Sequence, residues 1–460
     1  MPNSSSTLRG GLLAAAAAML LARGASAHEH ASDAVPEGSV ISPDPLDSIL
    51  WLHIFAMLAS FGVIFPTGMV LGIVRSRWHV PVQVLGTSIA VVGYFLGHMH
   101  KGRQFAPNIH AKFANSLMLM LCMQVAGGVY LKCHLEKGWH GRARGVVVKT
   151  HGVIGKLMPL VAWTQMLFGG ITAMGFCHAD HTGQCLAHFI MGSSFIAYGM
   201  IMTLMLFVGQ AWLARTGRSQ EFWDSLVITI WGIINTFTEH RWGNNWAHND
   251  IQHTSMGIVW ACAGLLGLWL SRGNKRNLVP GIVIFLTGWA MSAHPQHLML
   301  STMVHQVFGY TLMAAGLSRI IEIAFVVKDK PTLGSRKDTG EINSWQHLPP
   351  YLLFASGFIF MSANEEQLAL VDAVGIDHVS YLLVLYSLAF LLYLFTMVLI
   401  NLFVVNKPEE KKKYIPVSLE TPNTANGYAG EREHRRIADA EEFELDGLIS
   451  DEEEEVVKRQ

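Results

Sequence analysis

The feature that most limits what this chain can fold into is a succession of apolar runs of membrane length, at 49–74, 81–97, 109–130, 146–175, 185–212, 222–238, 253–270, 278–293, 302–327, 348–363 and 379–405. Inside hydrocarbon there is no water to bond the peptide groups. Each run must therefore satisfy its own backbone, and a helix of about 20 residues does so while crossing a core ~30 Å thick. The expected fold is all-α: a polytopic transmembrane helical bundle of about 11 spans. The runs at 222–238, 278–293 and 348–363 are the shortest, so the count could differ by one. With 51% hydrophobic and 15% charged residues, the main solvent and partner is the lipid bilayer. A net charge of -1 without a clustered basic face excludes a nucleic-acid partner.

Charge gives the runs a direction. Arg9, the apolar stretch 11–21 and Ala25-Ser26-Ala27 read as a signal peptide over 1–27, cleaved to leave His28 at the new amino terminus. That terminus, His28-Glu29-His30, has the donors to chelate Cu(II) or Ni(II) in a plane. Beyond it, Lys and Arg concentrate in alternate loops: Arg75 and Arg77, then 132–149, Arg215 and Arg218, then 272–276 and 328–337. Basic loops stay cytosolic. The segment 28–48 and the acidic stretch 365–377 then face the lumen or exterior, and so does the loop holding Cys177 and Cys185, which can form a disulfide there. The tail, 406–460, is acidic and too polar to bury a core, so it is expected to be disordered and cytosolic. Its Tyr414-Ile415-Pro416-Val417, and its Glu444 with Leu448-Ile449, have the form of signals read by sorting adaptors. The expected location is an integral membrane protein of the secretory pathway, in Golgi, endosome, vacuole or plasma membrane.

The chain has 22 histidines, many of them near the ends of apolar runs. His53, His79, His110 and His151 fall near the starts of the first four runs. Because successive spans reverse direction, His53 and His110 belong to the outer side and His79 and His151 to the cytosolic side. A haem iron takes two axial nitrogens, which two helices of one bundle can present, so the arrangement admits two haems stacked across the bilayer.

Leu52-His53, Phe61-Gly62, Pro66 and Gly68, Trp78-His79 with Gln83 and Gly93, His110, and His151-Gly152 with Gly155 together resemble the transmembrane core of the cytochrome b-561 family. The resemblance covers 49–213. It implies two haems b, one on His53 and His110 and the other on His79 and His151. It also implies an ascorbate-like cytosolic donor, for which Arg142, Arg144 and Lys149 are candidate contacts. Gly93, Gly97, Gly127 and Gly128 are small enough to leave room for porphyrin edges.

A second cluster lies in the later runs. Glu239, His240 and His253 flank one junction, His294 and His305 another, and Glu366 a third, all on the expected outer side. Imidazole and carboxylate converging from three loops suit an iron, zinc or copper ion, against the plainer reading of a hydrogen-bonded polar lid. Arg319 and Glu322, three apart, are expected to pair within one helix. The wording Phe237-Thr238-Glu239-His240-Arg241-Trp242, Gln252-His253-Thr254, Arg319-Ile320-Ile321-Glu322 and Gln346-His347-Leu348-Pro349 resembles the fungal Ytp-like membrane proteins, which implies a separate C-terminal membrane domain over 214–405.

These features lead to transmembrane electron transfer, from a cytosolic reductant through two haems b to an outer acceptor such as a metal ion. That is a b-561-type oxidoreductase acting as a metal reductase. The alternative is a membrane metal-binding transporter or sensor that uses the outer His/Glu cluster without redox catalysis.

Overall fold

The computed structural model describes residues 35–135, 137–240, 243, 245–293, 296–328 and 342–406. The expected signal peptide, His28-Glu29-His30, His294 and the sorting signals of the tail lie outside the described residues. Among the described residues the regular structure is helical, without a β-strand, and an isolated bridge joins Ile41 to Phe105.

Every apolar run is a helix. They are α1 (Ser48–Ile73), α2 (His79–Met99), α3 (Ile109–Lys132), α4 (Trp139–Met174), α5 (Thr182–Phe207), a short α6 (Gln210–Thr216), α7 (Gln220–Thr238), α8 (His248–Leu270), α9 (Val279–Ser292), α10 (Met299–Ile321), α11 (Leu348–Met361), a short α12 (Glu365–Ala373) and α13 (His378–Asn406). Eight are long and apolar enough to cross a membrane, while α9 and α11 have 14 residues each. The chain is an all-α polytopic membrane protein.

It divides into two compact units, one ending at Gly175 and the other comprising Phe176–Val404. This boundary differs from the expected one at 213/214, because α5 packs against α11. A Cβ placed on Gly192 would lie 2.6 Å from the carbonyl oxygen of Gly357, and one on Gly199 would lie 2.8 Å from that of Pro350. Lipid removes most of the hydrophobic drive between helices, so such close backbone contact carries the association.

In the first unit α1 is not uniform. It widens to a π-helix over Leu58–Ile64 just before Pro66. Proline has no N–H to return to the carbonyl of Gly62, and its ring crowds that carbonyl, so the helix loosens there. Within the widened stretch the buried Ser60 hydroxyl donates to Gly86 O of α2 at 2.6 Å. Phe61, Phe65, Ala90, Leu117, Leu121, Met158 and Ala162 fill the centre between α1, α2, α3 and α4. At one end, 39–47 lies along the loop 100–106, with Ser42 N donating to Gln104 O at 2.9 Å and Ala106 N to Val40 O at 3.0 Å. Asp47 caps α1 by accepting from Leu50 N at 2.9 Å, and it accepts from Lys101 N at 3.0 Å. The Lys101 and Leu50 N–H groups hold its carboxyl below the ordinary 3.8.

The second unit is organised around closely packed helix pairs, α7 with α8, α9 with α10, and α5 with α11. A Cβ on Gly257 would meet Thr236 N at 2.7 Å, and one on Gly288 would meet Gly309 O at 2.6 Å. The expected Arg319–Glu322 pair is present at 2.7 Å, but it belongs to a larger buried network. Glu221, fully buried at the start of α7, accepts from Arg319 Nη2 and from Arg276 Nη1, each at 2.9 Å. Two guanidinium groups and two carboxylates thus compensate one another at one end of this unit.

Candidate functional site

The four histidines of the first unit form two pairs. The rings of His53 (α1) and His110 (α3) have centroids 6.4 Å apart and planes at 86°. Those of His79 (α2) and His151 (α4) are also 6.4 Å apart, at 87°. All four side chains are half-buried.

The surroundings fix how the rings are held. His53 Nδ1 lies 2.7 Å from Gly93 O, and His79 Nδ1 lies 2.7 Å from Gly68 O. A carbonyl oxygen can only accept, so both Nδ1 atoms carry the proton, and each neutral ring has its lone pair on Nε2. His110 Nδ1 lies 3.2 Å from Gln165 O and 2.9 Å from the side-chain nitrogen of Gln165. At His151 it is the backbone that is held, its carbonyl accepting from Gln124 Nε2 at 2.9 Å.

Glycines seat the rings. A Cβ on Gly97 would lie 2.6 Å from His53 Nδ1, and one on Gly72 would lie 2.8 Å from His79 Nδ1. A Cβ on Gly169 would come within 3.1 Å of His110 Cε1, and one on Gly127 within 3.4 Å of His151 Nδ1. Gly93, expected to clear space, supplies a carbonyl acceptor instead. Gly72 and Gly169 are recognisable only once the helix register is known. This donor set fits haem b: neutral imidazoles in facing pairs, with their orientation fixed from the Nδ1 side at His53 and His79.

Among the described residues, the candidate ligands of the second cluster make local pairs. His253 Nδ1 lies 3.2 Å from Glu239 Oε2. His240 Nδ1 lies 3.0 Å from Asp250 Oδ2, and its ring stacks on Trp246 at 3.8 Å. Glu366 accepts from Cys177 N at 2.7 Å and lies 3.3 Å from His178 Nδ1, beside the Cys177–Cys185 disulfide. Among the described residues, one trio of His, Cys, Asp or Glu has its donor atoms within 4.8 Å of one another: Cys177, Cys185 and Glu366. Its sulfurs are bonded to each other and are not thiolate ligands. Among the described residues, Glu239 is paired with His253, His240 with Asp250 and Glu366 with His178. His305 has a different neighbour, His188 of α5, whose ring centroid is 5.9 Å away at 87°. In the sequence His188 is a single histidine inside an apolar run, which has the look of a core residue.

Residues 161–403 match the family model described as Protein YTP1-like, C-terminal. The chain belongs to the YTP1-like family. Residues 33–134 match a second model, a Domain of unknown function (DUF2427). Protein YTP1 of Saccharomyces cerevisiae is 43% identical over 293 residues, which cover 64% of this chain and 62% of that protein. The chain thus spans less than two thirds of that relative's length. The Uncharacterized membrane protein C3B8.06 of Schizosaccharomyces pombe is 21% identical over 474 residues, covering 74% of this chain and 90% of the relative. No solved structure matches. Relatives that carry membrane-protein names, together with the eight long apolar helices, make this YTP1-like chain an integral membrane protein in contact with the lipid bilayer.

Proposed function

We propose that the first unit of this YTP1-like protein is a cytochrome b-561-like electron carrier, holding one haem b between His53 and His110 and a second between His79 and His151. The observation that carries this reading is the spacing of the two ring pairs, 6.4 Å in each case. A metal held by two imidazole nitrogens at about 2 Å separates the ring centroids by roughly 6 Å. Bound there, haem iron alternates between ferric and ferrous states and so relays single electrons.

The protein's own residues hold and direct this chemistry. Gly93 O and Gly68 O keep His53 and His79 in the tautomer that presents Nε2. Gly97, Gly72, Gly169 and Gly127 let the rings lie against neighbouring backbone. Basic residues cluster near the His79/His151 end, with Arg142 and Lys149 exposed, which suits an anionic, ascorbate-like reductant on the cytosolic side. The His53/His110 pair then faces the lumen or exterior, where a ferric or cupric ion is the acceptor. The secretory-pathway location and the cytosolic tail belong to the same reading.

The test uses purified protein in sealed vesicles loaded with ascorbate, with ferricyanide outside. Reduction of the external ferricyanide should be at least tenfold faster than in protein-free vesicles and should be lost in His79→Ala. A rate equal to that of empty vesicles would remove the electron-transfer reading.

A further inference from the structure

We propose that Asp224 is a proton-binding site of the second unit, its carboxyl held as the neutral acid at neutral pH beside the Glu221, Arg276, Arg319 and Glu322 network. Asp224 lies one turn into α7 and is 6% exposed. Its Oδ2 is enclosed and meets no hydrogen-bond donor among the described residues. Glu221 Oε2, on the turn before it, is enclosed in the same way.

Charge assigns the proton. The guanidinium groups of the network are already matched by two carboxylates: Arg319 donates to Glu322 at 2.7 Å and to Glu221 at 2.9 Å, and Arg276 donates to Glu221 at 2.9 Å. Asp224 makes no ion pair among the described residues, so as an anion it would be a third carboxylate beside two cations. The charged and titratable groups that act on it are Arg319 of α10, Glu221 of its own helix, Tyr198 of α5 and Arg276 of the loop before α9. In that loop Arg272 and Lys275 are exposed. Of the other helices packed against α7, α9 has no ionisable residue, and neither has 264–270 of α8, the end whose Gly267 meets Ser225. A buried carboxylate without a compensating cation is destabilised far more than the acid, so the group takes up a proton instead.

A proton fits here and a metal ion does not. Two guanidinium groups repel a further cation, and among the described residues Glu221 and Asp224 belong to no trio of His, Cys, Asp or Glu donors close enough to share an ion. Release of the proton would leave three carboxylates competing for two guanidinium groups, so the state of Asp224 sets how Arg319 is shared. A cavity lined by Arg319 and Tyr198 leaves space for that side chain to shift.

The test is the infrared spectrum of full-length protein in detergent and heavy water, with the aspartate side-chain carboxyls labelled with heavy carbon. Exposed aspartates are ionised at neutral pH, so wild type should show an isotope-shifted carboxylic-acid C=O band worth about one aspartic acid per chain. Asp224→Asn should lose the band, and Asp372→Asn, at an exposed position, should keep it. The stability contributed by an acid kept neutral in the fold is lost as pH rises, so the band should vanish on alkalinisation. Over the same range the melting temperature of wild type should fall more steeply than that of Asp224→Asn. Should the asparagine variant fail to fold, Asp224→Glu keeps an acid but removes the labelled group, and it should lose the band too. Absence of the acid band in wild type at neutral pH would overturn the proposal. So would its retention in either folded Asp224 variant, or a band that appears only when sodium is withdrawn, which would make the occupant a metal ion.

Discussion

Gly97 governs whether His53 can hold its place. With a Cβ 2.6 Å from His53 Nδ1, Gly97→Val must displace the imidazole or part α1 from α2. The expected result is loss of the haem at His53 and His110 with the His79/His151 haem retained, read as halved haem content in purified protein. Equal loss of both would make the effect a general folding defect. A second prediction concerns acid. Asp47 has a folded pKa below the ordinary 3.8, so its capping contribution is complete above that value and fades as pH falls through the lower folded pKa. The Lys101 amide should be protected from deuterium exchange at pH 5, relative to its intrinsic rate at that pH, and should lose that protection on strong acidification, whereas in Asp47→Ala it should be unprotected at both. Residues of this kind were unevenly legible in the sequence. The four haem-candidate histidines stood out because they alternate in side along successive runs. Gly72 and Gly169 did not, since which ring a glycine touches depends on a register between helices that composition does not carry. His188 was hidden for the same reason, because the ring it faces, His305, is more than a hundred residues away.

At the scale of elements, Asn108 caps α3 by accepting from Ala111 N at 2.9 Å, two residues before His110. Asn108→Ala should cost about 1 kcal/mol and fray the turn that carries His110. The expected readout is weaker haem retention at the His53/His110 pair on dilution, with the other pair unchanged. The Glu221, Arg276, Arg319 and Glu322 network makes a stronger demand. Glu221→Ala leaves two buried guanidinium groups short of their shared carboxylate, which costs about 3–5 kcal/mol, so a melt in detergent should show the second unit unfolding well below wild type. A melting temperature unchanged within error would mean that water reaches this end. The helices themselves were nearly all legible, because an apolar run in lipid has few alternatives to a helix. The Arg319–Glu322 half of the network was visible as a spacing of three. Glu221 and Arg276 were not, because they arrive from other helices.

For the whole molecule, the sequence located the apolar runs well and their grouping less well. Run 185–212 reads as a continuation of the haem-like core, but close contact of Gly192 and Gly199 with α11 assigns α5 to the second unit. Such grouping is set by where small residues allow backbones to meet, and hydropathy does not record it. Sidedness is testable independently: a glycosylation acceptor placed at His181 should be modified and one placed at Lys275 should not, whereas the reverse pattern would invert the proposed direction of electron flow. The central claim is that the two histidine pairs hold two haems, and the most direct measurement is the visible spectrum, haem content and redox titration of the purified full-length protein. Two six-coordinate b-type haems per chain are expected in wild type, and one in each of His53→Ala and His79→Ala, with different haems remaining. A colourless wild-type protein, or single variants that keep both haems, would contradict it.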